Sequence, residues 1–202
     1  MKKKMFYKLF VLLIFVSLLQ SYAKAQVKCN YVNPSTASAL WYDGTLFITA
    51  SGMAVCPEKT SILAVPAAIE PPLYSVQVCS GMCYVIYPYH ATGRFFSAQC
   101  PKEVMVGNKK CTVINLSGPG LKVPASLSKP LDSCEAVGLV INSYDIQEAY
   151  SLAVEVLEMK CQGQVLNAVL EETGSFQFFL GGEFGGEPAL ITYVKVKNIQ
   201  NK

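Results

Sequence analysis

Histidine and tryptophan each occur only once in the 202 residues, and charged side chains make up only 15% of the chain. Typical soluble proteins carry about 25% charged residues. Because His90 is the sole histidine, a metal site or a nucleophile–histidine mechanism would depend on that one residue. No nucleophile-elbow motif accompanies it, and Tyr87–Ala91 resembles a strand end beside a turn. We therefore interpret His90 as a turn residue and predict no catalytic, cofactor-binding or metal-binding residue.

Two carboxylate pairs offer another route to catalysis, since glycosidases use two acids about 5–10 Å apart. Glu171 and Glu172 are adjacent in a predicted strand, so their side chains point to opposite faces. We interpret this pair, and the pair Glu155 and Glu158, as solvated faces. The sequence thus predicts a protein that is not an enzyme. Activity that disappears in His90→Ala would favour the enzyme alternative.

Residues 1–25 have the pattern of a secretory signal peptide. A lysine-rich start, Lys2–Lys8, precedes the apolar run Leu9–Leu19 and the small-x-small site Ala23–Ala25. The run is shorter than the roughly 20 residues of a membrane-spanning helix. Cleavage would leave 12 basic and 14 acidic residues, a net charge of −2. This balance predicts an extracellular protein that binds no nucleic acid and has no membrane span in its mature part.

The cysteine content supports the same compartment. An even number of cysteines in a secreted chain predicts disulfides rather than metal ligands or redox thiols. Sequence alone leaves 105 pairings open. We predict that all eight are bridged: Cys29, Cys56, Cys79, Cys83, Cys100, Cys111, Cys134 and Cys161. In Cys79–Cys83 the thiols are separated by three residues, whereas redox dithiols have two, which favours structural cysteines here as well.

Local patterns are those of short strands. Segments rich in Val, Ile, Thr, Tyr and Phe are bounded by Gly, Pro, Asn or Ser, which predicts an all-β antiparallel sandwich. The candidate strands are Thr45–Ala50, Tyr74–Cys79, Cys83–Tyr89, Arg94–Cys100, Cys111–Leu116, Ala136–Asn142, Ser175–Leu180 and Leu190–Val196. Residues 146–160 also fit a single helix, with Asp145 and Glu148 resembling a capping box.

An apparent internal repeat favours a strand there instead. Gly52–Cys56 resembles Gly138–Asn142, and Thr92–Phe96 resembles Thr173–Phe176. The repeat also aligns the segment that begins at Tyr74 with the one that begins at Tyr150. It predicts two tandem related units. The domains are then a signal peptide (1–25), a lead-in (26–38), a disulfide-rich sandwich (39–134) and a shorter sandwich (135–202). Cys29 or Cys161 would pair outside its own unit, with the pairing of Cys29 to Cys161 as one option.

Several short motifs are shared with a known family. They are Gly52–Cys56, Val76–Cys79, Thr92–Phe95, Lys110–Leu116, Val123–Pro124 and Cys134. In this order they resemble the plant olive-pollen major-allergen and extensin-associated family, which includes phylloplanin-like secreted proteins. The resemblance covers about residues 45–135 and implies a seven-stranded, transthyretin-like sandwich at a cell wall or surface, with no established catalysis. The chain departs from the family at Pro57–Lys59, where a second cysteine is frequent, and it adds Cys83 and Cys100.

These observations predict a secreted, non-enzymatic binding or surface protein in cell-wall organisation or defence, with a glycan or an extracellular protein as partner. Asn115 begins the usable N-glycosylation sequon. Tyr87 and Tyr89 lie on one face of a regular strand and could stack on sugar rings, although core packing is the alternative interpretation. A second hypothesis is an inhibitor or antimicrobial protein that acts on a foreign protein through the proline-restricted loop Ile69–Leu73.

Overall fold

The computed structural model describes residues 28–66, 70–118, 123–125, 127–128, 131–132, 134–161, 167–180 and 187–199. The predicted signal peptide lies outside them. Eleven strands and one helix are present in this part: β1 (Lys28–Val32), β2 (Thr36–Tyr42), β3 (Thr45–Val55), β4 (Pro57–Ala64), β5 (Leu73–Ser80), β6 (Ile86–Phe96), β7 (Glu103–Val106), β8 (Lys109–Asn115), β9 (Glu135–Ile141), α1 (Ile146–Lys160), β10 (Ala168–Leu180) and β11 (Glu187–Asn198). The mostly-β prediction is therefore confirmed.

The first eight strands form one curled, mixed sheet. Its order is β1-β5-β7-β8-β2-β3-β6, and β4 pairs with the remaining edge of β5. Curling brings β4 next to β6, where the Thr60 hydroxyl donates to the His90 carbonyl at 2.7 Å. The pairs β2–β8 and β5–β7 are parallel, whereas the sequence predicts antiparallel pairing throughout.

Strands β2 and β3 are buried on both faces. On the inside of the curled sheet, Ala39 and Ile48 join a core with Val76, Val104 and other residues. On the outside, Leu40 and Phe47 join a second core, which belongs mainly to the helix and the small sheet. The six residues Thr45–Ala50 are consequently all buried, and the strand shows none of the alternation typical of a sheet with one wet face.

The rest of the fold is a three-stranded antiparallel sheet, β10-β11-β9, covered by α1. The helix begins at Ile146 after the N-cap Asp145, whose carboxylate accepts from the Glu148 amide at 2.9 Å. Its buried residues have helical spacing: Ala149, Leu152, Ala153, Val156 and Leu157. None of the helices among the described residues has the length and apolar character needed to cross a membrane.

The helix contradicts part of the predicted internal repeat. Tyr74 lies on strand β5, whereas its counterpart Tyr150 lies on α1. The described residues between 135 and 199 therefore contain one sheet with a helix rather than a second pair of sheets, and their core includes Leu40 and Phe47 from the first part of the chain. Residue 39, where the first sandwich is predicted to begin, lies inside β2, and residue 135 is the first residue of β9.

One predicted turn is also absent. The sequence divides residues 83–100 into two strands, but β6 continues from Ile86 to Phe96 and pairs with β3 along its whole length. The turn signal was Gly93. A Cβ there would lie 2.9 Å from the Cβ of Ile62, so glycine permits close approach of β4 rather than a chain reversal.

Disulfides join Cys29 to Cys79 and Cys56 to Cys83, which confirms bridges for four of the eight cysteines. Cys29 thus pairs with the curled sheet and not with Cys161. Cys100 and Cys111 are thiols in the structure. They do not meet, because Cys111 lies opposite Val104 in the β7–β8 ladder, four residues along the chain from Cys100. Burial raises the pKa of both thiols, which favours their protonated form.

Candidate binding site

A pocket opens at the turn between β2 and β3. Asp43 and Gly44 form this turn with φ of 46° and 77°, the left-handed geometry of a two-residue hairpin. The pocket has a volume of about 440 Å³, within the range of small-molecule sites. Its lining consists of Trp41, Tyr42, Asp43, Gly44, Ala98, Leu116, Ser117, Gly118, Val123, Leu127 and Ser128.

Trp41 is held in this wall by a hydrogen bond. Its indole Nε1 donates to the Ser97 carbonyl at 2.9 Å, and the Ser97 amide donates to the Gly44 carbonyl at the same distance. These bonds connect the hairpin turn to the end of β6 and fix the indole. The neighbouring side chains on the strand, Leu40 and Tyr42, are buried in the core. Alternation along β2 therefore places Trp41 on the other face, where it is partly buried and packs against the inner core of the curled sheet.

Charge at the pocket comes from Asp43. Its carboxylate forms an ion pair with the ammonium group of Lys160 in the last turn of α1, so the helix end and the hairpin turn are joined. Tyr42 is buried next to this pair. Burial is the main cause that raises the pKa of Tyr42 to about 12, and the nearby charges of Asp43 and Glu135 add to it. The tyrosine hydroxyl consequently stays neutral across the physiological range.

The pocket combines the groups that bind sugars. An indole offers an apolar surface for the C–H face of a pyranose ring, and a carboxylate accepts hydrogen bonds from ring hydroxyls. The hydroxyls of Ser117 and Ser128 provide further polar contacts at the opposite wall. Leu116 and Leu127 are fully buried beneath them, so the floor is apolar. This is a mixed apolar and polar site without a nucleophile–base pair.

The two predicted contact tyrosines do not form a shared exposed surface. Tyr87 and Tyr89 lie opposite Ala54 and Gly52 and so share the inner face of β6. Tyr89 is only 4% exposed, and its ring covers Gly52, where a Cβ would lie 2.8 Å from the hydroxyl. It belongs to the core, as the alternative interpretation had it. Tyr87 is half exposed and remains accessible.

His90 lies in the middle of β6 rather than beside a turn. It is opposite Ser51 on β3, and its Nε2 is 3.9 Å from the Glu148 carboxylate. That distance is longer than a hydrogen bond. The Ser51 hydroxyl is hydrogen-bonded to the Thr36 hydroxyl at 2.7 Å, and Glu148 accepts from Thr92 at the same distance. These groups join sheet to helix, and they lack the hydrogen bonds that would activate Ser51 as a nucleophile.

The four glutamates considered as possible catalytic pairs each have a different environment. Glu171 pairs with Lys195 and Lys197, while Glu172 accepts from the Tyr193 hydroxyl at 2.6 Å. A β-bulge between Leu170 and Glu172 interrupts the ladder at this point. On α1, Glu155 pairs with Arg94, and Glu158 is exposed. Neither pair faces a common pocket in the described part of the chain.

Asn115 is next to the pocket wall. It ends β8, and its side-chain oxygen accepts from the Ser117 amide at 2.9 Å in an Asx turn. The side chain is partly exposed, so the sequon lies at the surface close to Ser117 and Gly118 of the pocket.

The pocket itself was missed in the sequence. Asp43–Gly44 is a local turn signal with the sole tryptophan two residues before it. Proximity to the turn does not single out Trp41, because Tyr42, which is nearer to the turn, is buried. The other wall could not be foreseen, since Leu116–Gly118 and Ser128 approach through tertiary packing.

Comparison with known proteins finds no matching family model, no matching curated protein and no matching solved structure.

Proposed function

We propose that this chain is a secreted, non-enzymatic binding protein that recognises a carbohydrate through the pocket at Trp41. The observation that supports this most directly is the combination of the indole of Trp41 with the Asp43 carboxylate in one open cavity of about 440 Å³. That volume accommodates one or two sugar units. The two disulfides are consistent with an oxidising compartment, as a secreted protein requires.

The proposal includes a role at a cell wall or surface, in wall organisation or defence. The resemblance to the olive-pollen and extensin-associated family supports it. Four of the six motifs, Gly52–Cys56, Val76–Cys79, Thr92–Phe95 and Lys110–Leu116, fall on or at the ends of strands of the curled sheet, and each contributes a residue to its inner core. The other two motifs, Val123–Pro124 and Cys134, lie outside this sheet. We retain the transthyretin-like relationship and glycosylation at Asn115 as parts of this proposal.

The sole tryptophan makes a direct test possible. We would titrate the purified mature protein with oligosaccharides from cellulose, xylan and pectin and follow tryptophan emission, which reports only Trp41. Binding in the pocket should change the emission and saturate. Loss of the stacking surface in Trp41→Ala should weaken retention on the corresponding insoluble polysaccharide about two- to tenfold, since such contacts contribute about 0.5–1.5 kcal/mol.

Tyr87→Ala is the matched control, because it removes an exposed aromatic ring at a different place. Unchanged binding in this variant, with loss in Trp41→Ala, assigns recognition to the pocket. Loss only in Tyr87→Ala would move the site to β6. If the folded wild-type protein binds none of the three polysaccharides, the carbohydrate proposal is wrong.

A second candidate function is inhibition of a foreign protein through the segment around Pro71 and Pro72. Its favourable feature is a fixed backbone: the Met105 amide donates to the Pro72 carbonyl at 2.8 Å, and the Val65 amide donates to the Leu73 carbonyl at 2.9 Å. Ile69 lies outside the described residues. Replacing both prolines with alanine should abolish inhibition of a secreted hydrolase while leaving polysaccharide binding unchanged, and the Trp41→Ala variant should do the opposite.

A further inference from the structure

Asn198 contacts two cysteines, Cys134 and Cys161, that are 27 residues apart in the sequence. It is the last residue of β11, and its amide donates to the Cys134 carbonyl at 2.8 Å. This bond continues the β9–β11 ladder by one position, since the preceding pair is Lys197 with Glu135. Directly opposite residues in an antiparallel pair have Cα atoms about 4.5–5.5 Å apart and side chains on the same face. Cys134 therefore shares a face with Asn198.

That face is the one covered by α1. Gly138 is on it, four residues after Cys134, and a Cβ there would lie 2.0 Å from the Ala149 carbonyl of the helix. The side chain of Asn198 is only 5% exposed and points beneath the end of the helix. Its amide nitrogen Nδ2 is 3.9 Å from the sulfur of Cys161.

Cys161 is the C-cap of α1, and its amide donates to the Leu157 carbonyl at 2.9 Å. Lys160, the residue before Cys161, contacts the start of β9 independently, because its Nζ donates to the Glu135 carbonyl at 3.3 Å. Neighbouring residues of the two cysteines are thus in contact. The helix end and the beginning of β9 lie against each other, and Asn198 contacts both, through the Cys134 carbonyl and the Cys161 sulfur.

We propose that Cys134 and Cys161 form a third disulfide, which joins the end of α1 to the start of β9. Disulfides need Cα atoms about 4.4–6.8 Å apart. The two sulfurs are not bonded to each other in the structure, and their bond would require the Asn198 side chain, whose Oδ1 accepts from the Asn167 amide at 3.4 Å, to turn aside. The two thiols lose two protons and two electrons to an oxidising disulfide, which becomes two thiols. The bridge rests on the secretion that is part of the proposed function, because that compartment supplies the oxidant.

The test is a disulfide map of the full mature protein secreted by a eukaryotic host. Free thiols are alkylated under denaturing conditions, and the chain is cut with trypsin without reduction. Lys129 precedes Pro130 and resists cleavage, so one peptide runs from 123 to 160 with Cys134 as its only cysteine. The next, 161–195, contains only Cys161. We expect these two peptides to be linked and to separate on reduction.

The same digest contains its own reference. Peptide 29–59 contains Cys29 and Cys56, and peptide 60–94 contains Cys79 and Cys83, so both structural bridges link this pair. If that link is present while Cys134 and Cys161 are alkylated, or are joined to peptide 95–102 or 111–122, the third bridge is wrong and secretion stands. If the reference link is absent as well, the oxidising compartment itself is contradicted.

A variant gives a second readout that needs no peptide assignment. In Cys161→Ser we expect one additional thiol per chain to react with a maleimide after denaturation, and its label to map to Cys134. Cys100→Ser is the matched control, because it should remove one reactive thiol instead of exposing one. An unlabelled Cys134 in Cys161→Ser would show that it is paired elsewhere and would overturn the proposal.

Discussion

The curled sheet and the helix-covered small sheet share one local packing feature, but different interactions hold each of them together. In each, a glycine lies directly opposite a tyrosine whose ring covers it: Gly52 under Tyr89 in the curled sheet, Gly174 under Tyr193 in the small sheet. The curled sheet adds two disulfides, Cys29–Cys79 and Cys56–Cys83. The small sheet adds a cluster of charges.

That cluster consists of Glu135, Glu171, Lys195 and Lys197. Lys195 is 2.9 Å from Glu135 and 3.2 Å from Glu171, and Lys197 is within 3.8 Å of both acids. Glu135 is only 8% exposed. The hydrogen bond from Lys195 is the main cause that lowers the pKa of Glu135, and the bond to Glu135 raises the pKa of Lys195. The charge cluster should make the small sheet respond to pH, and the two bridges should make the curled sheet respond to reductant. The bridge proposed between Cys134 and Cys161 would add a smaller response to reductant in the small sheet.

The largest effect is expected where the helix packs on the small sheet. In Gly138→Ala the new methyl group would overlap the backbone of Ala149 and Ala153, which cannot move without shifting α1. We expect the free energy of unfolding to fall by about 3 kcal/mol. Urea unfolding followed by circular dichroism measures it, with the disulfides left intact.

Gly52→Ala is the control in the curled sheet. Its new methyl group would meet the outer end of the Tyr89 ring, which can tilt away without moving a backbone, so a loss of about 1 kcal/mol is expected. Equal losses in the two variants would mean that the helix is not packed on Gly138 as tightly as the structure has it.

A smaller effect is expected from the charge cluster. Glu135→Gln leaves Lys195 partly buried with weaker partners and should cost about 1–2 kcal/mol near neutral pH. Because the folded pKa of Glu135 is lowered, its contribution is present above about pH 4, the ordinary range for glutamate, and is lost as the pH falls through the folded value.

The loss of stability with falling pH can be measured directly. Urea midpoints taken from neutral pH down to about pH 3 should fall less steeply for Glu135→Gln than for the wild type, since the variant has already lost this contribution. Glu158→Gln, which changes an exposed carboxylate on α1, should follow the wild-type curve. A parallel curve for Glu135→Gln would contradict a stabilising role for the cluster.

The smallest changes in stability are expected from removing the hydroxyl groups of Tyr193 and Tyr89. The Tyr193 hydroxyl donates to Glu172 at 2.6 Å, so Tyr193→Phe should cost about 1 kcal/mol. The Tyr89 hydroxyl is buried without a hydrogen-bond partner among the described residues, so Tyr89→Phe should be neutral or slightly stabilising. Thermal unfolding of the two single variants compares them directly. A larger loss for Tyr89→Phe would mean that its hydroxyl has a partner.

Strands with one apolar face were predictable from sequence, while those defined by long-range pairing were not. Tyr74–Cys79 alternates and lies within β5. In contrast, β4 (Pro57–Ala64) has Pro57, Glu58 and Lys59 at its start, and polar residues of this kind carry no strand signal. The strand forms because β5 offers it a pairing edge and Ile62 reaches the core.

At the helix, the local capping pattern predicted the structure correctly, whereas the longer-range repeat alignment did not. Asp145 caps α1 through the Glu148 amide, as the capping pattern predicts, whereas the repeat alignment argued for a strand. As ligand contacts, residue types alone selected the exposed Tyr87 and the buried Tyr89, and neither lines the pocket at Trp41. The two-residue period of a strand shows which side chains share a face. Whether that face is the inner one depends on how the sheet curls.

Burial of β3 on both faces has a consequence for how this sequence can vary. On β5, the partly exposed Ser75 and Gln77 alternate with the buried Val76 and Val78, so every second position can accept a polar change. From Thr45 to Ala50 no position is exposed: Leu46, Ile48 and Ala50 face one core, Phe47 faces the second, and the hydroxyl-bearing Thr45 and Thr49 are buried as well. A scan of all single substitutions should find six consecutive intolerant positions there. A single change in this segment would disturb the packing of both halves of the protein.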